Sequence, residues 1–283
     1  MANRTIRIVS KVVRGVTTTD GAGVNLKRIL GSPELNYLDP FLLLDEFYSD
    51  NPDDYIAGFP SHPHRGFETV TYLIHGKFRH KDSKGNEGLL TPGSVQWMTA
   101  GRGIIHSEMP EMEEGLLWGF QLWVNLPAKL KMVEPNYQAI PSEKIPEVER
   151  DGIMVRIISG EFDGQKGPAQ TRFPIIFFDV HLSSESKFVY PIPQEMNTFC
   201  YVYEGSAEFG AGNEIHRGMT GEMLVLDNGE NIFVTATDIG VKFLFLAGTR
   251  LEEPVSRGGP FVMNTSGEVR QAFLDYQNGK LDK

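Results

Sequence analysis

Nine short runs rich in β-branched and aromatic residues are spread along the chain: IRIVSKVV, ETVTYLI, LWGFQLWV, IMVRIIS, IIFFDVHL, TFCYVYEG, EMLVL, NIFVTA and VKFLFLAG. Several alternate apolar and polar residues, the period of a strand with one buried face. Glycine, proline, asparagine and aspartate separate them, and turn signals such as Lys84-Gly85-Asn86 and Asp227-Asn228-Gly229 join neighbouring runs. The expected class is therefore all-β, antiparallel sandwich or barrel, with few helices. One helix is expected near the C-terminus. There Thr265-Ser266-Gly267-Glu268 has capping-box spacing, Val269, Ala272, Phe273 and Tyr276 follow on one face, and Asn278-Gly279 supplies a stop.

A length of 283 residues accommodates two such β units. An offset of 129 positions lays Thr69, Tyr72 and Gly76 on Thr198, Tyr201 and Gly205, so that ETVTYLIHG matches NTFCYVYEG. The halves read as two copies of one barrel. Between Asn125 and Gly152 the texture changes to four prolines with mixed charge and little alternation. This divides the chain into an N-terminal barrel over 1–130, a connection over 131–150, and a second barrel with the terminal helix over 151–283. Pro127 to Tyr137 is read as part of that connection, with a cover over a neighbouring site as the alternative.

Composition excludes some roles. No apolar run approaches the roughly 20 residues of a membrane helix. The opening MANRTIRIVSKVVRG has no uninterrupted hydrophobic segment or cleavage pattern of a secretion signal. Cys200 is the single cysteine, so no intrachain disulfide can form and a reducing, cytoplasmic setting is expected. Lysine and arginine total 27 against 37 acidic residues, a net charge of −10, which disfavours direct nucleic-acid binding.

In SHPHRGFETVTYLIHG two of the seven histidines, His62 and His64, stand one residue apart. Residues i and i+2 of an extended strand share a face, so both imidazoles can aim at one point. Downstream, His106 and Glu108 form a second i, i+2 pair. Three imidazoles and a carboxylate leave two octahedral positions open, a set suited to Fe(II) and tolerant of Mn, Co, Ni or Cu. In the second copy, Pro191, Pro193 and Asn197 fall opposite His62, His64 and Glu68, so one site per chain is expected. The other histidines, His75, His80, His181 and His216, fall at strand ends or turns without a paired ligand and are read as surface or hydrogen-bonding residues. Phe67, Trp97, Met98, Gln121 and Trp123 could line the cavity, but aromatic residues in barrels are core residues far more often than substrate contacts, and barrel core is the reading taken. Ser107 has no general base in register and is not read as a nucleophile.

His62-Pro-His64-x3-Glu68, followed by Gly76, resembles the first cupin motif, and Pro92-Gly93 with His106 resembles the second. The segments HPHRGFETVTYL, PGSVQWMTAGRGIIHSEMP, QLWVNL, KMVEPNYQ and GPFVMNT, between about Asp39 and Thr265, resemble the pirin family of two-cupin proteins more closely still. That resemblance implies two tandem jelly-roll-like cupin barrels, with His62, His64, His106 and Glu108 ligating one metal, usually iron, in the first. The second barrel is expected to lack ligands. The usual cupin glutamate maps to Glu68, which is expected to hold a histidine or a water, with Arg65 as an alternative buried partner.

The resemblance also implies quercetin 2,3-dioxygenase activity. A flavonol would bind through its 3-hydroxyl and 4-keto oxygens, Glu108 or else Glu68 would accept the hydroxyl proton, and dioxygen would open the ring with release of carbon monoxide. Pirins are associated, too, with transcriptional co-regulation, which implies as an alternative a non-enzymatic, iron-dependent regulator binding a protein partner. A third alternative is a metal kept only for barrel stability.

Overall fold

The computed structural model describes residues 6–112 and 114–283. Along the chain the strands are β1 (Val9–Arg14), β2 (Val16–Asp20), β3 (Val24–Leu30), β4 (Phe41–Ser49), β5 (Phe59–His64) and β6 (Phe67–His75). Then come β7 (Phe78–Asp82), β8 (Glu87–Leu90), β9 (Val95–Thr99), β10 (Ile104–Pro110), β11 (Leu117–Asn125), β12 (Asn136–Ile140), β13 (Glu147–Arg150) and β14 (Ile153–Ser159). The short β15 (Glu161–Phe162) and β16 (Gln165–Lys166) precede β17 (Ile175–Leu182), β18 (Lys187–Pro191), β19 (Met196–Phe209) and β20 (His216–Met219). The last elements are β21 (Glu222–Leu226), β22 (Asn231–Thr249), β23 (Ser256–Gly258), β24 (Phe261–Met263) and helix α1 (Ser266–Gln277). No helix among the described residues is long and apolar enough to cross a membrane.

The chain divides into two compact units, residues 16–142 with 251–283 and residues 1–15 with 143–250. In the first, a seven-stranded sheet of order β12-β9-β6-β11-β4-β3-β2 accompanies a four-stranded sheet of order β5-β10-β7-β8. In the second, the sheet path is β1-β21-β19-β22-β17-β14-β13. Strands β19 and β22 run on past register shifts at Val202/Glu204 and Gly205/Ala207 to pair with β20 and β18. Such bulges bend a long strand so that it serves two faces. The antiparallel all-β expectation holds, and the strand matched by the internal repeat, β6, has β19 as its counterpart.

The expected boundaries differ from these groupings at both ends. β1 lies against β21, with Val12 opposite Leu224, so the first strand belongs to the second unit. Helix α1 begins where expected, with the Thr265–Glu268 capping box formed, but it belongs to the first unit rather than the second. The chain returns there because Phe261 bridges to Arg65, Val262 N–H donates to Arg65 O, and Phe261, Ala272 and Leu281 form one buried cluster. Residues 131–150 are divided as well. β12 pairs with β9 in the first unit and β13 with β14 in the second.

The two interiors contrast. Among the described residues, a large cluster of the second unit includes Phe162, Phe178, Phe188, Phe209, Phe243 and Phe245. The first has several smaller clusters, one of them formed by Val24, Leu26, Phe47, Tyr55, Leu73 and Phe78 among others, and it retains open interior space. Its junction at Gly66 is tight: φ is +90°, and a Cβ there would overlap Val262 O. Only glycine meets both demands.

Lys131 locks that junction. Its side chain is 1% exposed, and Nζ donates to Gly66 O (2.8 Å), Asn125 Oδ1 (2.6 Å) and Val262 O (3.0 Å). Burial pulls its pKa down to about 8, so it remains an ammonium at neutral pH, with one N–H for each acceptor. Replacing Lys131→Met leaves three buried oxygens without a donor. The expected loss is about 3 kcal/mol of unfolding free energy in urea titration, and a loss below about 1 kcal/mol would show that the ammonium does not hold this junction.

Candidate metal centre

Strand β5 carries Pro60 and Pro63, and it is an edge strand of the four-stranded sheet, where prolines cost no ladder bond on the open side. Its inner partner is β10. The antiparallel register sets His106 opposite His62 and Ile104 opposite His64. Directly opposed residues share a face, as do i and i+2, so three imidazoles come together from two strands. One ring nitrogen from each of His62, His64 and His106 falls within a group whose members all lie within 4.8 Å of one another. Ring centroids are 4.4 Å apart for His62 and His106, 4.7 Å for His62 and His64, and 5.0 Å for His64 and His106.

Backbone carbonyls set two of the tautomers. Nδ1 of His62 lies 2.7 Å from Pro60 O and Nδ1 of His64 lies 3.3 Å from Pro260 O. A carbonyl only accepts, so Nδ1 bears the proton in each ring and Nε2 keeps its lone pair. Burial, reinforced by the neighbouring imidazoles, lowers the pKa of His64 and His106 well below 6.5, and burial lowers that of His62 too. The rings are therefore neutral, the form that ligates metals. His106 is 1% exposed, and neither of its ring nitrogens has a hydrogen-bond partner. An orphaned pair of buried nitrogens is costly in isolation, and a cation at the centre of the group would satisfy one of them. The donor set thus fits a divalent transition ion.

Glu108 follows a register shift in β10 and is 4% exposed. It shares the cavity with His62 and His64 but lies outside the close group of nitrogens. Its carboxylate accepts from Thr71 Oγ1 at 2.7 Å, from Gln96 Nε2, and from Gln121 Nε2 at 3.4 Å. Burial outweighs these donors and pushes its pKa up to about 7. Glu68 does not line that cavity. It is fully buried on β6, and its Oε1 accepts from Thr99 Oγ1 at 2.6 Å. Arg65 turns instead to Asp275 (2.6 Å) and the Arg102 carbonyl.

The cavity has a volume of about 590 Å³, within the range of small-molecule sites. Apolar walls come from Leu26, Leu43, Phe47, Phe59 and Trp123, and polar groups from Gln121, Asp45 and Arg257. The Arg257 guanidinium lies 4.8 Å from the Trp123 ring centre, a cation–π contact. Of the wall candidates, Gln121 and Trp123 line the cavity. Trp97 and Met98 are fully buried core, and Phe67 packs behind His64 with ring centroids 5.0 Å apart. A larger hollow of about 840 Å³ belongs to the second unit, edged by Arg150, His181, Glu204 and Lys242, and contains none of the clustered histidines.

His80, read as a strand-end residue, is fully buried within β7. Its ring lies 5.4 Å from that of His106 and is stacked on Tyr137 at 4.2 Å. Its local signal is the i, i+2 pair with Asp82, but the stacking on Tyr137 joins residues 57 positions apart and has no local trace. His75 lies beside Trp118, and His181 is bonded to Asp179 and Tyr203.

The pirin family model matches residues 23–124, and the model of the pirin C-terminal cupin domain matches residues 177–282. A pirin-like protein of Caulobacter vibrioides is 47% identical over 279 residues, 97% of this chain and 99% of the relative. Human pirin is 45% identical over 264 residues, 93% of this chain and 89% of its own length. The crystal structure of a quercetin 2,3-dioxygenase from Acinetobacter baumannii superposes with a TM-score of 0.89 at 35% identity, covering 98% of this chain and 99% of the other. With both halves matched and relatives aligned over nearly their whole length, the chain belongs to the pirin family of the cupin superfamily.

Proposed function

We propose that this protein is a metal-dependent dioxygenase of the quercetin 2,3-dioxygenase type, cleaving a flavonol with O2 and releasing carbon monoxide. The observation that carries this reading is a cluster of three neutral imidazoles opening, beside a buried carboxyl group, into a cavity of about 590 Å³. His62, His64 and His106 would hold one divalent ion, iron(II) by preference, with Glu108 as a fourth donor. When bound, such an ion supplies Lewis acidity toward a chelating oxygen pair and one-electron chemistry toward dioxygen. A structural relative named quercetin 2,3-dioxygenase supports the choice of substrate class.

The chain's own residues do the rest. Phe47, Phe59, Leu43 and Trp123 give an aromatic substrate an apolar slot and exclude water from it. Glu108 takes the proton of the flavonol hydroxyl. Its carboxylate shares the cavity with His62 and His64 and is bonded to the Gln96 and Gln121 amides, which positions it to accept that proton and return it. Pro60 O and Pro260 O keep the imidazoles turned with Nε2 inward throughout.

The test is anaerobic loading with Fe(II), then addition of quercetin and air while flavonol absorbance, oxygen uptake and carbon monoxide are followed. Glu108→Gln is expected to keep the ion and lose about 10²- to 10⁴-fold in kcat, whereas His106→Ala loses both ion and turnover. Equal turnover by chelator-treated protein would refute the proposal. Absence of turnover, together with capture of a protein partner that depends on the oxidation state of the ion, would replace it with the regulatory reading.

Metal binding also has a thermodynamic signature. Nickel(II) at one hundred times its Kd is expected to stabilise the native protein by about 2.7 kcal/mol, seen as a rise in Tm, with none in His106→Ala. An equal rise in both proteins would place the ion elsewhere.

A further inference from the structure

The three-strand arrangement β5, β10, β7 extends the centre by one residue that the ligand set leaves out. In register, β7 sets Asp82 opposite His106 and His80 opposite Glu108, so both β7 side chains lie on the face that carries the imidazole cluster. His80 is 0% exposed, and its Nδ1 is buried without a hydrogen-bond partner. Its Nε2 lies 3.3 Å from Asp82 Oδ2. That carboxylate also accepts from the backbone N–H groups of Lys84 and Asn86 and from the Asn86 amide, all at 2.9 Å. Bonded to this acceptor, Nε2 carries the His80 proton and Nδ1 carries a lone pair.

His106 has the complementary need. Once one of its nitrogens serves a metal, the other is an N–H donor, and it is buried without an acceptor. The His80 and His106 centroids are 5.4 Å apart with their planes inclined by 52°, and no hydrogen bond joins the two rings here; a turn of the His106 ring that aims its outer nitrogen at Nδ1 brings the pair within N–H···N reach. Tyr137 covers the other face of His80, its ring parallel within 10° at 4.2 Å. Stacking fixes the plane of the imidazole, and Asp82 fixes its rotation within that plane.

We propose that His80 is a positioning residue for the metal centre, accepting the outer N–H of His106 on Nδ1 while Asp82 holds its Nε2–H. The chain Asp82–His80–His106 then orients the one ligand of the three to which no backbone carbonyl is bonded. Ligating histidines almost always have such an outer partner, and its removal weakens metal binding by about 10- to 100-fold. The inference rests on the metal reading given above.

The experiment compares the full-length wild type, His80→Leu and His80→Gln by chelator competition with Ni(II), alongside the Tm of each metal-free protein. His80→Leu removes the acceptor at similar bulk, and His80→Gln restores a carbonyl acceptor. The expected result is an affinity loss of about 10- to 100-fold in His80→Leu, substantial recovery in His80→Gln, and no matching difference between the two metal-free Tm values. In the diamagnetic Zn(II) protein, the slowly exchanging N–H proton of His106 should persist in the wild type and His80→Gln and vanish in His80→Leu. Unchanged affinity in His80→Leu, or equal weakening in both variants, overturns the proposal. A wild type that binds no ion overturns the metal reading itself, so the two failures are distinguishable.

Discussion

The site depends on the register between β5 and β10. With His106 opposite His62, and His64 two residues along, three side chains converge without any long loop to position them. A slip of one residue would turn the β10 imidazole to the other face and replace it with Ile105 or Ser107. The pairing has support on its far side, where β10 also pairs with β7 over His106 to Pro110. The outer edge of β5, by contrast, carries two prolines that discourage further strand addition. Converging so many imidazoles would be unfavourable if they were charged. Burial removes that difficulty by keeping them neutral, and a neutral imidazole keeps the lone pair that metal ligation requires.

The two units show one strand order carried by different interiors. β12-β9-β6-β11-β4-β3-β2 and β1-β21-β19-β22-β17-β14-β13 correspond position by position. Each path even has its own buried cation near the start of its β6 or β19 strand. Lys131 binds Gly66 O in the first unit, and Arg7 binds Pro193 O and Met196 O at 2.8 Å in the second. What distinguishes them is filling. Phenylalanines pack together inside the second unit, whereas the first encloses a cavity beside its histidines, and in the 129-residue repeat Pro191 and Pro193 stand opposite His62 and His64.

The parts of this arrangement legible in the sequence were those with a local period. Strand runs, the capping box at Thr265 and the two i, i+2 pairs are each written within a few residues, and they led to the class, the helix and the histidines. Affiliations set by distant pairing were not legible. Nothing near Val9 announces Leu226 as its partner, and nothing in α1 announces Arg65. His80 was passed over for the same reason, because the groups that give it meaning, Tyr137 and His106, come from β12 and β10. Glu68 shows the converse: a motif position drew attention to a residue whose carboxylate is held by Thr99, outside the cavity.

The return of residues 251–283 to the first unit has a consequence for biosynthesis. His64 takes its orientation from Pro260 O, and Arg65 beside it is anchored by Asp275. Two side chains made early on the ribosome are thus set in place by segments made 196 and 210 residues later. Until those segments emerge, neither side chain has the partner that fixes it.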